Sequence, residues 1–139
     1  MAINDEKTEP PQVIHCQDKE KYDEVMDKGP FEDGDFEYPD LFILAASIGY
    51  AEERKEEGTG DWLTRTEYLG GGNSDQRWLL RSIAMKETEE IGTLRNGQKI
   101  FDIAIQYANG GIKILHDKVF SDEPGSVEKR LEEFIREHQ

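Results

Sequence analysis

From Pro39 to Glu57 (PDLFILAASIGYAEERKEE) the chain carries its longest nearly unbroken apolar run. Leu41, Phe42, Ile43, Leu44, Ala45, Ala46 and Ile48 cover every face of two helical turns, whereas a surface helix shows one apolar stripe about 100° wide. The pattern predicts a central helix over 39–57, enclosed in its first half and emerging into water from Glu52 onward, where the sequence becomes EERKEE. Lys99 to Ala108 has the same all-round character through Ile100, Phe101, Ile103, Ala104, Ile105 and Tyr107. Beyond Gly110 and Gly111 the pattern resumes as Ile112, Leu115 and Val119, either as one helix through both glycines or as two helices joined there. A glycine inside a helix costs only about 1 kcal/mol, so continuous packing favours one helix with a close neighbour at the glycines.

The remaining periodicities are weaker. Tyr22, Val25 and Met26 recur at helical spacing and predict a short amphipathic helix over 18–28, stopped by Gly29 and Pro30. Phe31 to Tyr38 reads as an acidic loop anchored by rings. Ser74 is placed to cap a helix running to about Glu90, with Trp78, Leu79, Leu80, Ile83, Ala84 and Met85 as a broad apolar stripe. Ser126 is placed to cap a last amphipathic helix carrying Val127, Leu131, Phe134 and Ile135. Thr64 to Leu69 alternates weakly, as a short extended segment or a loop with some extension. The expected fold is mainly α: a single-domain bundle of five or six helices, with a small strand pair between residues 12–15 and 64–69. Residues 1–11 are polar, end in two prolines and lack periodicity, so they read as a disordered acidic arm before a helical domain over 12–139.

Charge changes the picture in one place. The 139 residues hold 31 acids and 17 basic residues, and residues 1–40 alone hold 13 acids against 4 lysines, a net of −9 out of −14. Such a field disfavours unspecific contact with phosphate backbones and acidic membranes and favours basic partners. Direct binding to duplex DNA is not expected, because too few basic residues are grouped to release counterions. The single Cys16 has no partner for an internal disulfide, no stretch resembles a secretion signal, and no apolar run approaches the length of a bilayer span, so the expected place is the cytoplasm.

Candidate chemistry is sparse. His15, His116 and His138 lie in different elements without a ligand spacing, and Cys16 reads as a small buried residue, so no metal and no cofactor are expected. Gly70 to Asp75 (GGGNSD) precedes a helix but lacks the Gly-Lys-Ser/Thr of a phosphate loop, and it reads as a linker. Glu87, Glu89, Glu90 and Asp102 offer carboxylates on two helices without the Glu-x-x-His partner of a metal bundle, which favours a solvated face. Arg77 and Arg81, four residues apart, share a helix face and either pair with the acids around Glu52 and Glu53 or form a small patch, the pairing being favoured; with Glu52, Glu53 and Arg54 they form a candidate interaction surface. Ala45, Ala46, Gly49, Asn109, Gly110 and Gly111 form a structural motif suited to close helix crossing.

Three segments carry a family resemblance: FEDGDFEYPDLFILAASIGYAEER (Phe31 to Arg54), WLLRSIAMKETEEIGTL (Trp78 to Leu94) and IQYANGGIKILHDKV (Ile105 to Val119). Together they resemble the dnd system-associated protein 4 family, in which an FAAALG-like helix matches Phe42 to Gly49 (FILAASIG) and an EYANGGL-like motif matches Gln106 to Ile112 (QYANGGI). The chain departs from that pattern in its acidic N-terminal part and in Gln106, where an acid is usual. The resemblance implies a prokaryotic product encoded beside DNA phosphorothioation genes, in antiphage defence, and assigns no catalytic residue.

Three functions compete on this reading. The first is a non-enzymatic accessory or adaptor that binds another protein of a DNA modification or restriction complex. The second is an acidic DNA mimic that regulates a nuclease or modification enzyme. The third is a small metal-dependent enzyme subunit.

Overall fold

A computed structural model describes residues 9–28, 37–69, 75–120 and 136. The elements run β1 (Val13–Cys16), α1 (Lys19–Lys28), α2 (Tyr38–Ala51), β2 (Asp61–Arg65), a 3-10 turn (Thr66–Tyr68), α3 (Asp75–Thr88), a second 3-10 turn (Ile91–Arg95) and α4 (Gly97–Val119). The chain is mainly α with one small two-stranded sheet. Four α-helices stand among the described residues, in place of the five or six expected. The difference has two causes: α4 runs unbroken through Gly110 and Gly111, and the expected last helix lies outside the described residues. So do the GGGN linker, the Ser74 cap, most of the ring-anchored acidic loop and His138.

The core is a crossing of α2 and α4. α2 is enclosed on nearly all sides, burying Leu41, Phe42, Ile43, Ala45, Ala46 and Ile48. Pro39 opens its first turn, where a missing N–H is tolerated, and the Asp40 carboxylate accepts from the Glu37 N–H at 2.9 Å. The axes approach so closely because backbone meets backbone. A Cβ on Gly49 would lie 2.8 Å from the Tyr107 carbonyl carbon, and one on Gly111 would lie 2.8 Å from the Gly49 nitrogen.

α2 ends six residues before the sequence pattern does. Glu53 takes the left-handed conformation (φ 55°), its N–H reaches the Tyr50 carbonyl at 3.1 Å, and the Arg54 N–H reaches back to the Gly49 carbonyl at 2.8 Å. This is a Schellman ending, normally made by glycine. The released chain then lies across α4: the Glu56 N–H donates to the Gln106 carbonyl at 2.9 Å, and Gly110 leaves the room that the Arg54 carbonyl occupies. Tertiary hydrogen bonds replace the last turn and a half of helix.

Asn109 fastens this crossover. Fully buried on α4, its side-chain oxygen accepts from the Gln17 N–H at 3.0 Å, and its amide nitrogen donates to the Glu56 and Gly58 carbonyls, each at 3.1 Å. One side chain thus satisfies backbone groups from two separate segments, which a buried amide must do to be tolerated there.

β1 and β2 pair antiparallel, with Val13 opposite Arg65 and Cys16 opposite Asp61. This is the strand pair expected from the alternation, with β2 beginning a few residues earlier than the pattern indicates. Contacts also begin before residue 12: the Pro11 carbonyl accepts from the Thr66 hydroxyl at 2.6 Å. α3 buries a narrower face than its sequence stripe implies, covering Leu80, Ile83 and Ala84 while Trp78 and Leu79 stay exposed.

Candidate functional site

The five residues of the sequence-derived interaction surface do not converge as expected. Arg77 directs its Nε to the Leu69 carbonyl at 2.9 Å and an Nη to the Thr66 carbonyl at 3.0 Å, so it clamps the turn after β2 instead of pairing with Glu52 or Glu53. Arg81 stands over the Trp78 ring, 5.5 Å from its centroid. Arg54 pairs with Glu56 at 3.1 Å. The expected Arg–Glu pairing fails because α2 ends at a left-handed Glu53, which turns the acidic end of the segment toward α4.

The carboxylates considered for chemistry are also separated. Glu87 accepts from Lys55 at 2.6 Å and from the Tyr107 hydroxyl at 2.5 Å, and the Lys55 bond, followed by that of Tyr107, holds its carboxyl below the ordinary range. Asp102 accepts from Gln98, one turn earlier on α4, and faces water. Glu89 sits beyond the end of α3 in a left-handed conformation. Among the described residues no group of three or more His, Cys, Asp or Glu side chains is arranged to hold a metal ion. Cys16 is fully buried, and that burial pushes its thiol up to about 12. His116 lies 2.7 Å from a Glu24 carboxylate oxygen and packs on Phe120.

The surface feature that stands apart is an open groove of about 510 Å³ between the start of α2, α1 and β2. Its floor is Leu63 and Thr64, both nearly fully buried, with Met26 and Pro39 beside them. Its rim carries two large aromatics held in water, Trp62 (49% exposed) and Tyr68 (58% exposed). Neither residue stands out in the sequence, because a short weakly alternating stretch carries no strong periodic signal. The only sign was an unusual density of rings in a segment with little else apolar.

A bulge in the strand pair places Trp62, and the 3-10 turn after β2 carries Tyr68. Ile14 pairs with Thr64 but His15 pairs with Trp62, so Leu63 is the extra residue on β2. In a regular strand Leu63 and Thr64 would point to opposite faces; across the bulge both turn inward and Trp62 turns out. Opposite them, Tyr38 donates to Asp23 at 2.6 Å and Lys19 stands 3.2 Å from the same carboxylate and 5.9 Å from the ring centroid. The Tyr38 bond holds the Asp23 carboxyl below its ordinary range, and burial, with that bond, pushes the Tyr38 phenol up to about 12. The groove therefore has one fixed wall, a dry floor and two aromatic side chains at its mouth.

The family model described as DNA sulphur modification system-associated protein 4 matches residues 13–139. No curated protein and no solved structure shows significant similarity to the chain. No helix among the described residues is long and apolar enough to cross a membrane. The match spans the two strands, the α2–α4 crossing and the groove alike, and the chain belongs to the DNA sulphur modification system-associated protein 4 family.

Proposed function

We propose that the protein is a non-enzymatic accessory subunit of a DNA sulphur modification system, and that it docks a partner protein of that system in the groove flanked by Trp62 and Tyr68. The observation that carries this reading is the pair of large aromatics held about half in water over a buried floor of Leu63 and Thr64. Burying such rings is a main source of binding energy at protein interfaces, and hot spots are enriched in Trp and Tyr set in pockets surrounded by a polar rim. The partner segment that fits is apolar at its centre and basic at its flanks. Glu37 lines the groove, so a Lys or Arg beside the apolar anchor has a carboxylate at hand. The engagement of Glu87 by Lys55 and Tyr107, and the separation of the remaining carboxylates, support a binding role over an acid–base one.

Co-purification from the native host tests the reading. The wild-type protein should retain a protein encoded in the sulphur modification gene cluster. The double variant Trp62→Ser, Tyr68→Ser, shown by its melting curve to be folded, should lose it. Undiminished retention of that partner by the folded double variant rejects the groove as the docking surface.

A further inference from the structure

Between α3, the turn before α4 and the first turns of α4 lies a second, partly open cavity of about 350 Å³, and its chemistry differs from that of the aromatic groove. Arg77 and Arg81 from α3 and Arg95 from the turn before α4 all line it, above an apolar floor of Leu80, Ile100 and Phe101. A chain with 31 acids and 17 basic residues has carboxylates to spare for its arginines, yet none of these three makes an ion pair among the described residues. The one acid in the wall is Glu9.

Two of the arginines, Arg77 and Arg81, are also held in place by groups that leave their charge intact. Arg77 is fixed by the carbonyls of Leu69 and Thr66, and Arg81 rests over the Trp78 ring. Next to them Pro10 packs on the first turn of α4 so closely that a Cβ on Gly97 would come within 2.6 Å of the Pro10 nitrogen. The wall is thus built by the N-terminal segment meeting α4, and Gly97 is the residue that permits it.

We propose that this cavity binds a small phosphate monoester that carries a planar or apolar body, with Arg77, Arg81 and Arg95 taking the phosphate and the Leu80, Ile100 and Phe101 floor taking the body. Three guanidinium groups match a dianion with several acceptor oxygens, whereas a lone carboxylate is satisfied by one bidentate arginine. The volume is at the lower end for small-molecule sites, which suits a mononucleotide-sized ligand and not a polymer. The net charge of −14 opposes approach only weakly, because at physiological salt charges more than about 8 Å away are largely screened.

Titration calorimetry of the full-length protein with adenosine 5′-monophosphate, adenosine and inorganic phosphate tests the proposal. The monophosphate should bind, and adenosine and inorganic phosphate should each bind at least tenfold more weakly. The variant Arg81→Gln, Arg95→Gln should weaken the monophosphate at least tenfold with an unchanged melting temperature; Arg77 is left in place because it holds the turn after β2. Absence of monophosphate binding to the wild type at millimolar ligand overturns the proposal. So does equal binding of inorganic phosphate, or binding that the double variant leaves intact. Loss of the partner protein in the aromatic-groove variant has no bearing on these outcomes, so the two sites stand or fall separately.

Discussion

The α2–α4 crossing and the Trp62–Tyr68 groove are built by opposite means. At the crossing the side chains are removed: glycines let the backbone of one helix lie directly against the backbone of the other, and Asn109 fills its hydrogen bonds with backbone partners. At the groove the largest side chains of the region are kept in water, Trp62 turned outward by a bulge and Tyr68 carried on the 3-10 turn that follows β2. The first arrangement leaves no surface for anything to bind and makes each atom costly to change. The second leaves apolar area in water, which folding alone would have covered. The contrast separates residues that hold the fold from residues free to meet another molecule, and substitutions at the two places should therefore read out differently.

The largest effect is expected at Gly111. Its Cβ would meet the Ala45 carbonyl and stand 2.8 Å from the Gly49 nitrogen, both of them backbone that cannot step aside. Overpacking of this kind costs about 1–3 kcal/mol, so Gly111→Ala should lower the melting temperature by several degrees, with Gly111→Val worse. A rise on alanine substitution would mean that the glycine is an ordinary helix position and would remove one side of the comparison. Asn109 comes next. Asn109→Ala strands the Gln17 N–H and the Glu56 and Gly58 carbonyls at a cost of about 1–3 kcal/mol, and Asn109→Asp should be more damaging because it sets a carboxylate oxygen against those two carbonyls. Equal melting temperatures for the aspartate variant and the wild type would show that the crossover does not depend on this amide.

Smaller effects sharpen the boundary of the rigid region. Glu53 holds a left-handed conformation that glycine adopts without penalty, so Glu53→Gly should stabilise the protein by about 0.5–1 kcal/mol in chemical denaturation. Destabilisation would instead show that the Glu53 side chain makes a contact worth more than the backbone strain. Glu87 supplies a pH test. Its carboxyl lies below the ordinary range when folded, so its stabilisation is present above the unfolded value of about 4.3 and is lost as pH falls through the folded one. The acid limb of stability against pH should be shallower for Glu87→Gln; curves with the same slope would remove Lys55 and Tyr107 as its partners. The smallest change is expected at the groove: Trp62→Ser and Tyr68→Ser should shift unfolding by no more than about 0.5 kcal/mol while abolishing partner retention. A large loss of stability there would place these rings in the fold and erase the distinction.

Much of the fold was legible in the pattern of residues because burial leaves a period. The first half of α2 is apolar on nearly all sides and α4 carries a broad apolar face, and such segments must be buried; Gly49, Gly110 and Gly111 inside them already pointed to a close crossing. The weak alternation near Thr64 left a loop and a short strand both open, and pairing with Val13–Cys16 makes the strand. The end of α2 was not legible, since EERKEE is a good helix-forming sequence and only the hydrogen bonds to Gln106 and Asn109, some fifty residues away, stop it. Arg77 and Arg81 showed their common face but not their partners, because a helix period fixes direction on one element and says nothing about the carbonyls of Thr66 and Leu69 across from it.

By itself the sequence determined where the main helices lie, which of them are buried, and that the N-terminal part carries most of the net negative charge, because these follow from local propensity, periodicity and composition. Only the tertiary structure decided where the Trp62 ring points, which arginines share a cavity, and that Asn109 is a fastener and not a surface amide. Each of those depends on one-residue register or on contacts between distant segments. A single extra residue at Leu63 reverses a side chain from core to water, and no local preference records it.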